Sequence, residues 1–411
     1  MLSRNFWLLF ANRALTRFAY HLTTFALIIW VFELTRLNIA VSLWFVVFFF
    51  ASFFTAFLSG VAADLYDRRR IMVLANLAWA GGALLLIPVK ESFGGLLAVS
   101  FLIQALDEFF YPAQTASLPQ LVRSEDLIQA NAWLSGVTYA VNFFGYLLAG
   151  ILLRFWGFEG TFILAAGSVA LGGMVTLALP PLMPNGEKHP TLRQFLGKIR
   201  GHLQEQVHYL SANRNITATA LILSVVVSGA AAAGSIAPGF AEQVLKIQAR
   251  DLSFVAILPL CLGFLVAAYT LSRSGKFFSV WGGFVGLGAI LILLSFSPAL
   301  RVLVADHVGR PQAFEQVPLF SLAVAFLTFW AGAFAATATI PVVTSLQRLV
   351  PAQNLGRTIA AMGMLSAILS TVFSLTFGVA ADLFTPAVPV FIVGGLQVLA
   401  GIWARAKVVI K

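Results

Sequence analysis

The amino-acid sequence predicts an all-α membrane protein, with twelve transmembrane helices in two six-helix bundles. Three observations carry this. Of 411 residues, 60% are hydrophobic and 13% aromatic while only 10% are charged, at a mean hydropathy of +0.91, against about a quarter charged in soluble domains. The apolar residues come in continuous runs long enough for the roughly 20 residues that a crossing helix needs, unlike the alternation of a transmembrane β-barrel. One long polar stretch, residues 183–214, separates six such runs from six more. A soluble enzyme, a collagen-like fibre and a disordered chain are excluded, because 38 Phe and 9 Trp cannot be hidden within so small a polar surface.

The first run, 10–33, carries Arg13, Arg17 and His21 and continues past the length of a signal core, so no cleavable signal peptide is expected. The second and third, 39–63 and 71–89, flank a very short turn that holds Asp64 and Arg68 to Arg70. The fourth, 94–116, contains Gln104, Asp107, Glu108 and Tyr111, and the fifth and sixth lie at 128–155 and 160–182. After the polar stretch come 215–241, 253–272, 277–296, 317–343, 357–382 and 386–408. Pro238, Pro259 and Pro341 fall inside runs and predict kinks of the kind gates use. Trp7, Trp30, Trp44, Trp156 and Trp403 sit near run ends, where indole rings settle at the membrane interface. The lone cysteine, Cys261, forbids an internal disulfide and reads as a packing residue.

The domain boundaries follow: an N-terminal bundle over 1–184, a linker over 185–213 and a C-terminal bundle over 214–411. The polar stretch 183–214 begins with the breaker-rich Met-Pro-Asn-Gly-Glu-Lys-His-Pro. Within it Leu192, Phe195, Leu196, Ile199, Leu203, Val207 and Leu210 recur at helical spacing opposite Arg193, Lys198, Arg200 and Glu205. That pattern fits an amphipathic helix on the inner membrane surface, or a plain tether. In the loop at 297–316, Asp306, His307 and Arg310 supply too few ligands for a metal site, and no cofactor is expected. An internal repeat supports two halves: a shift of 228 residues carries Ser117, Leu118, Leu121, Val122 and Leu127 onto Ser345, Leu346, Leu349, Val350 and Leu355.

The net charge of +10 reports orientation. With these spans, 17 of the 26 Lys and Arg fall on one side, 7 on the other and 2 within a helix, the excess that the positive-inside rule predicts for a cytoplasmic face. An even number of crossings then puts both termini in the cytoplasm of a cell that holds the protein in its inner or plasma membrane. The basic residues accordingly contact membrane lipids rather than nucleic acid.

Charged side chains at mid-helix cost at least roughly 2.5 kcal/mol each and mark candidate sites. Arg13, Arg17 and His21 recur every fourth residue and share one stripe of the first helix. Gln104, Asp107, Glu108 and Tyr111 share a face of the fourth, although adjacent Asp107 and Glu108 point about 100° apart. Because the first helix runs outward and the fourth inward, Arg17 and the acids reach comparable depth, and Arg17 is expected to pair with Asp107 or Glu108. Two readings follow. In one, the pair is permanent and structural while Arg13 snorkels to the interface. In the other, the remaining carboxylate binds and releases a proton during transport, a role His21 can share. Asn131 fits a helix start, and Asn142 at mid-span is a cavity candidate. The second half offers an apolar wall of Ser224, Ser228, Phe240, Phe326, Phe329, Trp330, Thr337 and Thr339, suited to an amphiphilic substrate, or else plain helix packing.

The turn after the second run reads Gly60-Val-Ala-Ala-Asp64-Leu-Tyr-Asp67-Arg68-Arg69-Arg70. Gly60 permits close helix contact, Asp64 can meet a helix N-terminus, and the arginines can pair with carboxylates or lipid phosphates in one gating state. This turn resembles the loop G-x-L-a-D-r-x-G-r-R of the major facilitator superfamily: Gly60, Asp64, Arg68 and Arg69 match, Leu65 stands where Arg is frequent, and Asp67 replaces the second Gly. Pro112-Ala113 through Leu118-Pro119-Gln-Leu121-Val122 and Leu127-Ile-Gln-Ala130-Asn131 look like the branch of the enterobactin exporter and the macrolide efflux proteins. The antiporter pattern G-x-x-x-G-P-x-x-G-G of the fifth helix is kept only as Val141-x-x-x-Gly145-Tyr146-x-x-Ala149-Gly150. The resemblance implies a monomeric secondary transporter that exports an amphiphilic drug, siderophore or lipid-like compound, a multidrug-type antiporter drawing on the proton gradient. An uncoupled facilitator or importer, or a receptor or scaffold that has lost transport, are the alternatives. No G-x-x-x-x-G-K-[ST] occurs, so an ATP-driven pump is not expected, and no constellation of nucleophile and base suggests an enzyme.

Overall fold

The computed structural model describes residues 2–183, 213–274, 279–298, 319–350 and 352–407. The amphipathic segment of the linker and the loop with Asp306, His307 and Arg310 lie outside these residues. Eleven α-helices are described: α1 (Arg4–Thr35), α2 (Asn38–Leu65), α3 (Arg68–Leu85), α4 (Phe93–Leu121), α5 (Leu127–Leu177), α6 (Arg214–Gly239), α7 (Leu258–Ser274), α8 (Val280–Ser295), α9 (Leu319–Leu349), α10 (Ala352–Leu383) and α11 (Ala387–Lys407). The long α5 breaks at Gly157, whose φ of 66° and ψ of −170° suit only a residue without Cβ. It therefore holds the expected fifth and sixth crossings, and the chain is a twelve-crossing, all-α membrane protein. Among the described residues, nine helices are long and apolar enough to cross a membrane.

Helix ends are marked by local chemistry. Ser3, Ser92 and Ser279 cap α1, α4 and α8 by accepting from the amides of Phe6, Gly95 and Gly282. Arg36 closes α1 in a left-handed conformation, its amide donating to Phe32 O at 2.7 Å. Beyond the membrane ends, Glu159 Oε1 lies 2.5 Å from Lys90 Nζ and pushes that ammonium's pKa up.

The chain forms two compact units, Met1–Arg36 with Leu43–His189, and Leu37–Ser42 with Pro190–Lys411. In the first, α1 packs along α5, and α3 packs against α4 and α5. Phe6, Leu9, Met72, Phe110 and Leu118 fill one core cluster. Polar side chains also cross this interior. Thr16 Oγ1 donates to Asn12 Oδ1 at 2.8 Å, Asn76 Nδ2 donates to the same oxygen at 3.0 Å, and Asn12 Nδ2 donates to Thr176 Oγ1. All four side chains are buried, so each must find its partner inside the protein. Trp44 departs from the interfacial position expected for it: it is buried, and its indole N–H donates to Ser100 Oγ at 2.9 Å. A ring with one polar atom is as well served by one hydroxyl indoors as by the headgroup layer.

In the second unit α6 packs on α10, and α9 packs on α7 and α8, with α11 along α8. Small residues let these backbones meet. A Cβ at Gly332 would lie 1.8 Å from Leu260 O, and one at Gly263 would lie 1.8 Å from Phe329 O. The α7–α9 contact is thus a reciprocal glycine interlock. Pro238 precedes a π-turn at Phe240–Leu245 and Pro259 follows another at Ser253–Ile257, the irregularities that the prolines predict. Residues 378–383 repeat the hexapeptide Gly-Val-Ala-Ala-Asp-Leu of 60–65. There Asp382 accepts from the amides of Asn38 and Ile39, each at 2.8 Å, so that it caps the first turn of α2.

Replacing Gly332 by alanine forces backbone apart at the interlock, whereas a Cβ at Gly395 meets nothing within 4 Å. Gly332→Ala is expected to cost about 1–3 kcal/mol or more and to lower the thermal midpoint in detergent, with Gly395→Ala close to wild type; equal midpoints would remove the interlock.

Candidate functional site: a charged cluster within the first unit

The stripe on α1 turns into the first unit, where α4 and α5 supply its partners. Arg17 Nη2 lies 3.3 Å from Asp107 Oδ2, with only 14% and 7% of the two side chains exposed. Two rings flank the guanidinium: its carbon lies 5.3 Å from the centroid of Tyr20 and 5.6 Å from that of Tyr111. Asp107 Oδ1 is buried and finds no hydrogen-bond partner among the described residues. Arg17 thus satisfies one of the two carboxylate oxygens, and Asp107 is committed to one cation.

Glu108 points elsewhere, as neighbours on a helix must. Its Oε1 accepts from Gln104 Nε2 at 3.1 Å, and the same nitrogen is 2.8 Å from Ser52 Oγ of α2. Among the described residues no cation pairs with Glu108. It is half-buried, a carboxylate held by neutral groups beside a carboxylate held by a charge.

One turn further along α1, His21 Nε2 is 2.5 Å from Asn142 Oδ1. Since that oxygen only accepts, Nε2 carries the hydrogen. The ring stands 4.6 Å from the centroid of Tyr146, and Nδ1 is buried without a partner among the described residues. Gly145 makes this possible, because a Cβ there would lie 2.8 Å from His21 Cβ. Arg13 does not reach for the interface: Nε donates to Thr138 Oγ1 at 3.1 Å, Nη1 donates to Gln114 Oε1, and the guanidinium carbon lies 4.9 Å from the Tyr111 centroid. Asn131 is the fifth residue of α5, at the start of its second turn, and its Nδ2 donates to Leu127 O at 2.9 Å.

The α2–α3 turn is organised differently from the sequence expectation. Asp67, the residue that departs from the family pattern, is its anchor. Its Oδ1 accepts from the amides of Arg69, at 3.0 Å, and Leu182, at 2.9 Å, capping α3 and tying down the segment that follows α5. Arg68 donates to Ala63 O at 3.0 Å and Ala116 O at 2.9 Å, so it clamps backbone instead of pairing with an acid. Asp64 is exposed and meets no helix N-terminus among the described residues. Arg69 is half-buried; Arg70 is exposed, its Nε 3.8 Å from Asp67 Oδ2. Gly60 needs no close contact, since a Cβ there would meet nothing within 4 Å.

The expected apolar wall of the second unit is largely interior. Ser228 donates to Ser366 O at 3.0 Å and Ser224 to Met362 O at 3.4 Å, joining α6 to α10. Phe240 and Thr337 are buried, Thr339 bonds to Ala335 O of its own helix, and Phe329 packs edge-on against Trp330. Phe326 stays exposed. Small hydroxylated residues on an apolar helix serve helix packing here.

A family model described as Major Facilitator Superfamily matches residues 8–374. The enterobactin exporter EntS of Escherichia coli O1:K1 / APEC is 27% identical over 318 residues, covering 75% of this chain and 68% of that protein. EntS of Shigella boydii serotype 18 is 26% identical over the same shares. Among solved structures, a bacterial homologue of the human lysosomal transporter Spinster superposes with a TM-score of 0.70 at 12% identity, covering 98% of this chain and 96% of that one. The nucleoside transporter NupG superposes with a TM-score of 0.69 at 13% identity, covering 98% and 99%. At these identities the superpositions establish the fold.

Removing one partner of the buried pair leaves a charge stranded. Asp107→Asn is expected to destabilise the protein by about 3–5 kcal/mol, while Arg17→Met with Asp107→Leu recovers most of that loss. Unfolding of both variants in detergent measures the difference, and additive losses would mean that the two groups do not depend on one another.

Proposed function

The chain belongs to the Major Facilitator Superfamily, and from that premise we propose that it is a secondary transporter that exports an amphiphilic small molecule by alternating access, coupled to protons. The family and the EntS relatives point to a transporter and not to an enzyme. Export is the function of the EntS relatives, and a drug, siderophore or lipid-like compound is the corresponding substrate range. The 17 to 7 distribution of basic residues supports a cytoplasmic location of both termini and insertion in the inner or plasma membrane.

One observation supports the coupling: adjacent acids on α4 with unlike partners, Asp107 held by the cation Arg17 and Glu108 held by the neutral side chains of Gln104 and Ser52. A proton on Asp107 would strand Arg17 in low dielectric. A proton on Glu108 strands no charge, so Glu108 is the group that exchanges with water as the cycle turns. Neutralising Glu108 then changes the field on the neighbouring pair, and the pair's geometry is the element that differs between states. His21, with its Nε2 hydrogen committed to Asn142, positions α1 against α5.

In proteoliposomes with an imposed pH gradient, Glu108→Gln is expected to abolish uphill efflux, a loss of about 100-fold or more, while downhill exchange survives. Asp107→Asn is expected to impair both. Unchanged gradient dependence in both variants would remove the acids from coupling, and uphill transport that survives collapse of the pH gradient would favour an uncoupled facilitator.

A further inference from the structure

Resting on the transport reading, the geometry points to the head group the protein takes: we infer that Arg13, Gln114 and Tyr111 form a subsite for the anionic head of an aromatic or otherwise apolar organic acid. Arg13 is the cation that the ion pair does not use. It appears in no salt bridge among the described residues, and its hydrogen bonds go to neutral oxygens, Thr138 Oγ1, Gln114 Oε1 and the Tyr111 hydroxyl. Thr138 spends its own hydrogen on Leu134 O, at 2.7 Å. A guanidinium has five N–H groups, so two remain on Arg13 beyond these contacts.

The second observation is Gln114. Its side chain is fully buried, its oxygen is committed to Arg13, and its Nε2 has no hydrogen-bond partner among the described residues. The acceptor role toward Arg13 fixes which end of the amide faces away, so the orphan is a donor. Tyr111 is 46% exposed and its ring lies within 5.6 Å of both guanidinium carbons, so the unspent donors of Arg13 and Gln114 gather beside it, while the unpartnered acceptor, Asp107 Oδ1, belongs to the carboxylate that Arg17 holds. Donors in surplus around a permanent positive charge select a carboxylate or sulfonate. No carboxylate of α4 pairs directly with Arg13 among the described residues: Asp107 pairs with Arg17 and reaches Arg13 only through its field, and Glu108 accepts from Gln104 beside Ser52. Toward the start of the same helices, Trp7 of α1 and Trp133 of α5 meet edge to face at 5.7 Å and are each nearly half exposed. They offer rings to the apolar body of such a molecule. An anionic phospholipid carries the same chemistry, and the test separates the two sources.

Dansylglycine, dansylamide and dansylcadaverine share one fluorophore and carry a negative, neutral and positive group. Equilibrium dialysis against the protein in phosphatidylcholine nanodiscs, corrected with empty discs, is expected to give binding of dansylglycine about tenfold tighter than of dansylcadaverine. Arg13→Gln is expected to erase that preference and Arg13→Lys to keep most of it. Gln114→Glu pairs Arg13 internally and keeps the side-chain volume, so it is expected to lose dansylglycine about tenfold with the fold intact. Equal or tighter binding of the cation, or unchanged dansylglycine affinity in both Arg13→Gln and Gln114→Glu, would overturn the assignment. So would stoichiometric displacement of dansylglycine by phosphatidylglycerol with no Arg13-dependent movement of the probe into vesicles, which identifies a lipid site. Vesicle flux separates this inference from the reading beneath it: probes moved at equal, Arg13-independent rates leave transport standing without the anion subsite. Arg13-dependent binding that phosphatidylglycerol does not displace, with no flux of any probe, leaves the subsite without transport.

Discussion

A guanidinium inside hydrocarbon costs about 2.5–3.5 kcal/mol even on the lenient insertion scale, and the first unit is arranged around meeting that cost at Arg17. The answer is assembled from three directions. Asp107 supplies the opposite charge at 3.3 Å, while Tyr20 from the same helix and Tyr111 from α4 supply ring faces. None of these alone suffices, because a single carboxylate contact leaves most of the guanidinium edge free. The cost explains why the helices that carry the pair are fixed by further polar contacts nearby. The Asn12–Thr16–Asn76–Thr176 network locks α1 to α3 and α5 one turn from Arg17. A pair with one good contact tolerates little displacement of its helices.

The two units solve helix packing by different chemistry. The first uses side-chain hydrogen bonds to other side chains and to backbone, with Asp67 stapling the start of α3 to the amide of Leu182 beyond the end of α5. The second uses glycines that let backbones touch, at Gly263 with Gly332 and at Gly288 with Gly394, and hydroxyls that bond to the neighbouring helix's carbonyls. Without a hydrophobic driving force between helices in lipid, both are ways of obtaining contact that lipid tails cannot match. Among the described residues, the buried histidine and acids, His21, Asp67 and Asp107, all lie in the first unit. The candidate chemistry accordingly sits in the first unit.

Much of this arrangement was legible in the sequence, for a reason that applies to few proteins. Hydrocarbon length sets helix length, so crossing number and depth can be counted, and depth alone brings Arg17 level with Asp107. What depth cannot give is direction around a helix. Trp44 reads as interfacial from its position near a run end yet points inward to Ser100. Ser224 and Ser228 read as cavity lining yet face α10. Nor does a family pattern say which of its deviations matters: Asp67 stands where a glycine is usual, and it turned out to cap α3, leaving Asp64 exposed. The polar repeat of Asn12 and Thr16, four residues apart on α1, was a signal of the buried network, since polar groups on one stripe of a membrane helix need an interior partner.

The adjacency of Asp107 and Glu108 is itself a constraint on any proton cycle. Two carboxylates on successive residues cannot share one environment, because the helix turns about 100° between them. One therefore meets α1 and its cations while the other meets α2 and its hydroxyl. If both acids faced Arg17, one proton would merely redistribute within a shared site and the ion pair would persist. With the acids separated, the proton and the cation have different addresses, and loading one alters the other only through the field. Arg13 meets α4 instead at Gln114, seven residues and roughly two helical turns along from Asp107, and shares the Tyr111 ring with Arg17. On the proposed reading, proton binding by Glu108, the ion pair of Arg17 with Asp107 and head-group recognition by Arg13 occupy neighbouring positions along one short stretch of α1 and α4 and are coupled through their fields.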